Sequence, residues 1–450
     1  MRRYFNFRIL HAALPFILAN ASIPLIGVMN IAIAGHLGSS DYLAALSIGS
    51  MVVGILFWWL SSLRMGTTGL IAQASGQGDT LRMNNILSNS FLLAIMISLI
   101  AWLCHGPILS IAYAITQPAT FLKPLITVYF NIRLIGMPAV LINYIIIGSL
   151  IGLKQGRDAL LTTLTLLVTS TLLGVVLVYG CGWHNTGIAI ADVIGQCCSM
   201  IVGLALLHRH HPLTALRNIT KTIFRCDKTL MINLISMQRD LFLRTVALSI
   251  GFGFFTVAST QLGTNTLAAN TVLLNLTFFS AYFLDGFANV AEGQIGNSLG
   301  QGDRDTTYLL MTQTGVWMAV CALLIGVCYL TLGQFAIQGL TSIADIQMIA
   351  RHYLPFAAAL PCVAALSYWL DAIYVAALQQ RHLRNSAIVA FVIFIGLHVV
   401  TDSSSNIALW SAFLCFFVSR GLYQLLFLKR ALGQSLTTTQ GFKPSTVQAY

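Results

Sequence analysis

Twelve stretches, most of them about 20 residues or longer, run through this chain almost free of charge. A helix rises 1.5 Å per residue, so about 20 apolar residues cross the roughly 30 Å hydrocarbon layer of a bilayer. The stretches lie near 13–35, 43–74, 86–112, 122–152, 158–180 and 187–208, then near 231–260, 266–298, 307–336, 352–379, 385–401 and 406–428. Hydrophobic residues make up 57% of the chain and charged residues 8%, too few charges to coat a soluble domain of this size. The ten-residue alternation of a membrane barrel is absent from the sequence. These features predict an all-α integral membrane protein with twelve transmembrane helices.

The runs fall into two sets of six, and a short motif repeats between them. Gly76-Gln77-Gly78-Asp79 recurs as Gly300-Gln301-Gly302-Asp303, 224 positions later in a chain of 450. Each copy closes a long apolar run that follows a Leu-Gly loop, Leu37-Gly38 or Leu262-Gly263. Within one residue of the same offset, Tyr129 and Pro138 are matched by Tyr353 and Pro361, and Leu153-Lys154-Gln155 by Leu378-Gln379-Gln380. A period of half the chain length is the mark of a duplicated bundle, the architecture of many secondary transporters. The motif itself reads as turn and cap chemistry at the ends of helices two and eight. The domain reading is a lobe over 1–211, a cytoplasmic linker over 212–230, a second lobe over 231–430 and a polar, disordered tail over 431–450.

The net charge of +11 does not indicate nucleic acid, because of where the charge sits. Arg2, Arg3, Arg8, Arg82, Lys154, Arg157, Arg209, Arg217, Lys221, Arg225, Lys228, Arg304, Arg381, Arg384, Lys429, Arg430 and Lys443 fall at the termini and the even-numbered loops. Lys123 and Arg351 stand against them on the other side. That bias places both termini in the cytoplasm, with the basic linker facing lipid headgroups. The first apolar run lacks a clear cleavage site and reads as a retained helix. The nine cysteines are scattered without a paired motif, and neither a metal site nor a cofactor follows from them. His208, His210 and His211 cluster where helix six meets the headgroups.

Ionisable side chains at membrane depth need a partner, a wet cavity or a function. The acidic set is Asp192, Asp240, Asp285, Glu292 and Asp371, and the basic set is Arg64, Arg133, Arg239, Arg244 and Arg420. Asp240 and Arg244, four apart on one helix face, read as a structural ion pair. Asp285 and Glu292 share a face two turns apart. Asp371 has aromatics and no charge near it in sequence, which makes it either a titratable carboxylate or one locked to an arginine elsewhere in its bundle. Arg64 and Arg133 read as neutralising partners for such carboxylates. Pro24, Pro138, Pro355 and Pro361 each remove a backbone hydrogen bond inside a predicted helix, which invites kinks.

Several of these segments together resemble the multidrug and toxic compound extrusion (MATE) family, in its DinF-like branch. They are Leu63-Arg64-Met65-Gly66-Thr67-Thr68-Gly69-Leu70-Ile71-Ala72-Gln73-Ala74, Arg133 with Pro138, and Arg239-Asp240 through Arg244. Leu267-Ala268-Ala269-Asn270, Leu284-Asp285-Gly286-Phe287-Ala288 with Glu292, and Leu370-Asp371 followed by Arg384-Asn385-Ser386 complete the set. The resemblance implies two six-helix bundles related by a pseudo-twofold axis. It implies an antiporter of the bacterial inner membrane, a monomer among membrane lipids, exporting amphipathic or cationic small molecules by alternating access. The coupling ion it implies is H+, with Na+ the alternative. Candidates for the substrate cavity are Arg64, Gln73, Arg133, Asn270 and Asn275.

The departures from the branch bear on coupling. Where relatives carry an aspartate in helix one, this chain reads Pro24-Leu25-Ile26-Gly27-Val28-Met29-Asn30. Where they carry an Asn and an Asp four apart on helix five, Ser170 and Gly174 stand here, and where they carry a threonine on helix six, Asp192 stands. One reading makes Asp192 the titratable carboxylate with Asn30 as its hydrogen-bond partner. The other makes Asp192 a structural residue and moves coupling to Asp285, Glu292 and Asp371. Two further functions stay open: a flippase for a lipid-linked precursor, which needs cationic side chains in the cavity, and a binding protein that no longer pumps. The chain shows no grouping of residues that reads as an enzyme's active site.

Overall fold

A computed structural model describes residues 6–37, 39–211, 228–401 and 405–440. Most of the predicted linker lies outside these residues, as do Gly38 and 441–450. Among the described residues the chain is helical throughout its apolar runs. The first half holds α1 (Phe7–Gly35), α2 (Ser40–Leu60), α3 (Ser62–Gln77), α4 (Thr80–Leu103), α5 (His105–Thr116), α6 (Lys123–Ile135), α7 (Met137–Gly152), α8 (Gly156–Val175) and α9 (His184–His210). The second half holds α10 (Lys228–Thr260), α11 (Thr264–Gln301), α12 (Arg304–Leu340), α13 (Ala344–Ala376), α14 (Gln380–Val400) and α15 (Asn406–Gln440). Among the described residues eleven spans are long and apolar enough to cross a membrane, α2 and α3 counting as one, and the bent pair α6–α7 makes a twelfth if it crosses as a single span. The predicted disordered tail is corrected in part, since α15 carries the helix on to Gln440.

The breaks follow local chemistry. Pro138 sits in the first turn of α7, where its missing N–H costs nothing, and the pair α6–α7 bends there by 48°. Pro24, Pro355 and Pro361, also expected to kink, lie within single continuous helices α1 and α13. Neighbouring helices restore what a proline removes inside a bundle.

The described residues form two compact units. One comprises Leu18–Ile71 and Thr80–Gln238; the other comprises Met1–Ile17, Ala72–Asp79 and Arg239–Tyr450. The units therefore depart from chain order at two places: the start of α1 and the end of α3 pack with the second half. In the C-terminal unit the core is aromatic, with Phe255, Phe394, Trp410, Phe413, Phe416 and Phe417 all fully buried. Edge-on pairs such as Phe255–Trp410, with centroids 4.9 Å apart, give it shape as well as area. In the N-terminal unit small residues let backbones approach. A Cβ on Gly148 would stand 2.4 Å from the Arg64 carbonyl oxygen, and one on Gly203 would meet Ile146 and Thr162.

The repeated motif folds twice in the same way. Gly78 and Gly302 take positive φ, 69° and 72°. In the first copy Gly78 N–H donates to Ser75 O and Asp79 N–H to Ala74 O; in the second, Gly302 donates to Leu299 O and Asp303 to Ser298 O. This is a helix-ending motif in which glycine supplies the left-handed turn. Asp303 then caps α12 by accepting from Thr306 N–H at 3.0 Å, and the Thr306 side chain first, then that backbone bond, hold its exposed carboxyl below the ordinary aspartate range. The first glycine of each copy does something else. A Cβ at Gly76 would lie 2.1 Å from Asn297 O, and one at Gly300 2.2 Å from Gln73 O. Asn297 is Gln73 shifted by 224, so the two contacts are one contact repeated about a local twofold. The second echo also settles its register: Lys154 and Leu378, 224 apart, hold the left-handed turns at φ 63° and 58°.

Candidate functional site

Asp192 lies two turns into α9, buried at 3% exposure. Asn30, on α1, donates its amide to Asp192 Oδ2 at 3.0 Å. Arg133, in the last turn of α6, places a terminal guanidinium nitrogen 2.8 Å from the same oxygen. The other carboxylate oxygen, Asp192 Oδ1, is buried without a hydrogen-bond partner, as is Arg133 Nε. The Arg133 guanidinium also lies 5.6 Å from the centre of the Phe57 ring, within cation–π range. Three helices thus converge on one carboxylate with a single unoccupied oxygen.

Local packing holds these helices in place. Past Val175, α8 ends in a wider turn over Val176–Gly180, and Tyr179 there donates its hydroxyl to Ile33 O on α1 at 2.9 Å. Gly174 has no side chain to block α1: a Cβ there would stand 3.1 Å from Ile33. Both contacts sit one turn beyond Asn30. On the α6 side, the bend after Arg133 is held by Gly136, whose Cβ would meet Val193 at 2.7 Å. Ser170, the other residue standing in for an expected polar pair, donates to Leu166 O in its own helix at 2.7 Å. One turn below Asp192 on α9, Gln196 accepts the Asn143 amide at 2.8 Å.

Asp371 has a different environment. Arg244 from α10 and Arg420 from α15 both donate to its Oδ2, Arg420 at 2.6 Å. Gln424, one turn after Arg420, donates to Oδ1 at 2.5 Å and to Ser386 Oγ at 3.2 Å. Tyr374 in turn donates its hydroxyl to Gln424 O at 2.6 Å. Arg420 lies over Phe417 at 5.7 Å. Of the two readings offered for Asp371, the carboxylate locked to arginines is the one the fold adopts.

The expected Asp240–Arg244 pair is corrected. Asp240 binds Arg384 at 2.8 Å and its own neighbour Arg239 at 3.1 Å, while Arg244 turns to Asp371. Residues four apart share a helix face, but here each finds its charged partner elsewhere, Arg384 donating to Asp240 Oδ1 and Arg244 to Asp371 Oδ2. Two of the cavity candidates are engaged in buried hydrogen bonds. Gln73 is buried and donates to Ala376 O at 2.7 Å. Asn270, fully buried, donates to Ser259 and Asn406 and accepts the Trp410 indole N–H at 3.0 Å, which makes it a packing node. Asn275 is exposed and bonds Thr271 O in its own helix. Arg64 is half-buried on α3; Asp285 is half-buried and Glu292 buried on α11. Sequence reasoning named Ser386 only as part of a family segment and missed Gln424. Gln424 had a signal, since it stands four residues after a membrane-depth arginine.

The family model MatE matches residues 15–179 and 241–402. The chain is 34% identical to DNA damage-inducible protein F of Escherichia coli strain K12 over 92% of this chain and 89% of that one. The chain belongs to the MatE family. It is also similar to a probable multidrug resistance protein NorM of Agrobacterium fabrum, at 24% identity over 62% of this chain and 63% of that one. Its fold matches a crystal structure of MATE in the bent conformation with a TM-score of 0.84, covering 96% of both chains at 15% identity. As a MatE member it is a multi-pass membrane transporter; Arg133 and Asp371 fall inside the matched residues, while Asp192 lies between the two matched segments.

Proposed function

We propose that this protein is an efflux antiporter of the bacterial inner membrane, with both termini cytoplasmic, exporting amphipathic or cationic compounds in exchange for protons. The observation that carries the reading is the buried Asn30–Asp192–Arg133 cluster with its one unoccupied carboxylate oxygen. The ionised carboxylate is neutralised by Arg133 and oriented by Asn30. A proton added at Oδ1 leaves both donors in place on Oδ2, so the site can be filled without being dismantled. Filling it leaves Arg133 uncompensated in a buried setting, which makes the protonated and ionised arrangements differ in the conformation they favour. That difference is what a coupled transporter requires. Asp371 fits the role less well, because its protonation strands two buried guanidiniums.

The multidrug name of the Agrobacterium relative supports the substrate class. The flippase reading loses ground because arginines it would need are held by carboxylates: Arg133 by Asp192, Arg239 by Asp240 and Arg244 by Asp371. The test is efflux of a fluorescent cation from proteoliposomes under an imposed pH gradient. Wild type should show gradient-driven efflux, and Asp192→Asn should reduce it by about 10-fold or more, the loss expected when the two states no longer differ in proton affinity. Undiminished efflux in the variant rejects Asp192 as the coupling group, and no efflux from wild type rejects the pump.

A further inference from the structure

We infer that Arg133 is the ion-selectivity residue of this transporter: a tethered cation at Asp192 that admits a proton and excludes sodium. The inference rests on the reading of Asp192 as the coupling carboxylate. It comes from the chemistry of the groups around that carboxylate. A monovalent metal cation needs several oxygen ligands converging on one point, and each must direct a lone pair at it. Asp192 Oδ2 is instead approached by N–H donors, Arg133 at 2.8 Å and the Asn30 amide at 3.0 Å. A guanidinium has five donors and no acceptor, and it stays charged at any physiological pH. No rotation of Arg133 turns it into a ligand.

Charge and space point the same way. A sodium ion on Oδ1 would sit about one carboxylate width from the guanidinium, in a cluster where Asp192 is 3% and Asn30 8% exposed. At that depth water screens the repulsion poorly. A proton carries the same charge but needs no further ligands: it forms one covalent O–H bond at Oδ1, and Oδ2 continues to accept from both donors. Arg133 is held against moving aside. It lies in the last turn of α6, directly before the 48° bend, with the Phe57 ring 5.6 Å from its guanidinium carbon. The residue that neutralises the carboxylate is therefore also the one that fills the place of a metal ion.

The experiment is equilibrium binding of radioactive sodium to the purified full-length protein, with Asp192→Asn as the reference for the site. Wild type should show no Asp192-dependent sodium binding. Arg133→Gln, which removes the charge and adds an acceptor oxygen, should acquire saturable sodium binding that protons displace and that Asp192→Asn abolishes in the double variant. The gain in affinity should be on the order of 100-fold, the scale set by removing a like charge about 5 Å away in a partly screened interior. Arg133→Lys keeps a donor-only cation and should bind no more sodium than wild type, an outcome that also serves if the glutamine variant does not yield monodisperse protein. Asp192-dependent sodium binding by wild type or by Arg133→Lys overturns the inference, as does a folded Arg133→Gln that gains none. None of these results depends on efflux, so failure of pH-driven transport in vesicles rejects the pump without deciding selectivity.

Discussion

The buried aspartates Asp192 and Asp371 are given opposite characters by their neighbours. Asp192 has one guanidinium and one amide on a single oxygen; Asp371 has two guanidiniums on one oxygen and an amide on the other. Removing one partner of a buried pair is costly because the remaining charge stays in a poorly solvated site. Asp371→Asn leaves two such charges and should destabilise the protein by about 3–5 kcal/mol. Asp192→Asn leaves one, beside an aromatic face, and should cost clearly less. Thermal unfolding of both variants in detergent tests the order; equal losses would mean that Asp371 is not the structural anchor its contacts describe. The sequence alone could mark both aspartates as anomalous at membrane depth, and it paired Asn30 with Asp192 through the departures from the family pattern. It could not assign the arginines, because helix periodicity reports which residues share a face and says nothing about the helix opposite. Arg244 illustrates this: its in-helix neighbour Asp240 was the expected partner, and the fold turned it to a carboxylate 127 positions away.

At the scale of elements, the repeated Gly-Gln-Gly-Asp uses its two glycines for different physical ends. Gly302 is needed for its backbone angle, whereas Gly300 is needed for what it lacks, since Gln73 O occupies the space of its Cβ. Gly302→Ala should cost about 1–2 kcal/mol, the penalty of a left-handed residue with a side chain. Gly300→Ala should cost at least that, about 1–3 kcal/mol, because two helix backbones must part to admit the methyl group. Gly253 in α10, with nothing within 4 Å of its added Cβ, is the control: Gly253→Ala should be neutral or stabilising by up to about 1 kcal/mol. Melting temperatures of the three variants decide it, and a neutral Gly300→Ala would show that the close crossing is not required. The αL turn was legible from the motif. The crossing was not, because a glycine at an interface and a glycine at a helix end look alike in one sequence. The proline kinks divide similarly: Pro138 falls in a first turn and marks the bend, while Pro355 and Pro361 sit inside a helix that runs through them.

For the whole molecule, the count of membrane crossings turns on one pair of helices. The eleven unbroken spans become twelve only if α6 and α7, bent by 48°, cross together. The distribution of charge requires that they do. Arg82 lies in the first turn of α4, Lys154 in the turn between α7 and α8, and Arg157 in the first turn of α8. With α4 and then the α6–α7 pair each crossing once, both basic loops fall on the same face, as the positive-inside rule demands. If the pair instead entered and left by one face, the loop at Lys154 would emerge on the opposite side from Arg82. Every basic loop after it would change sides too. Lys123, at the start of α6, would then share a face with the basic loops it is set against. Single cysteines placed near residue 118 and near residue 155, in a variant lacking the native cysteines, test this with a membrane-impermeant thiol reagent on intact cells. The first should label from outside and the second only after permeabilisation, and fusions at both termini should report the cytoplasm. Labelling of both loops from one side would reduce the count to eleven, put the termini on opposite faces, and remove the frame in which Arg133, at the end of α6, meets Asp192 in the middle of a span.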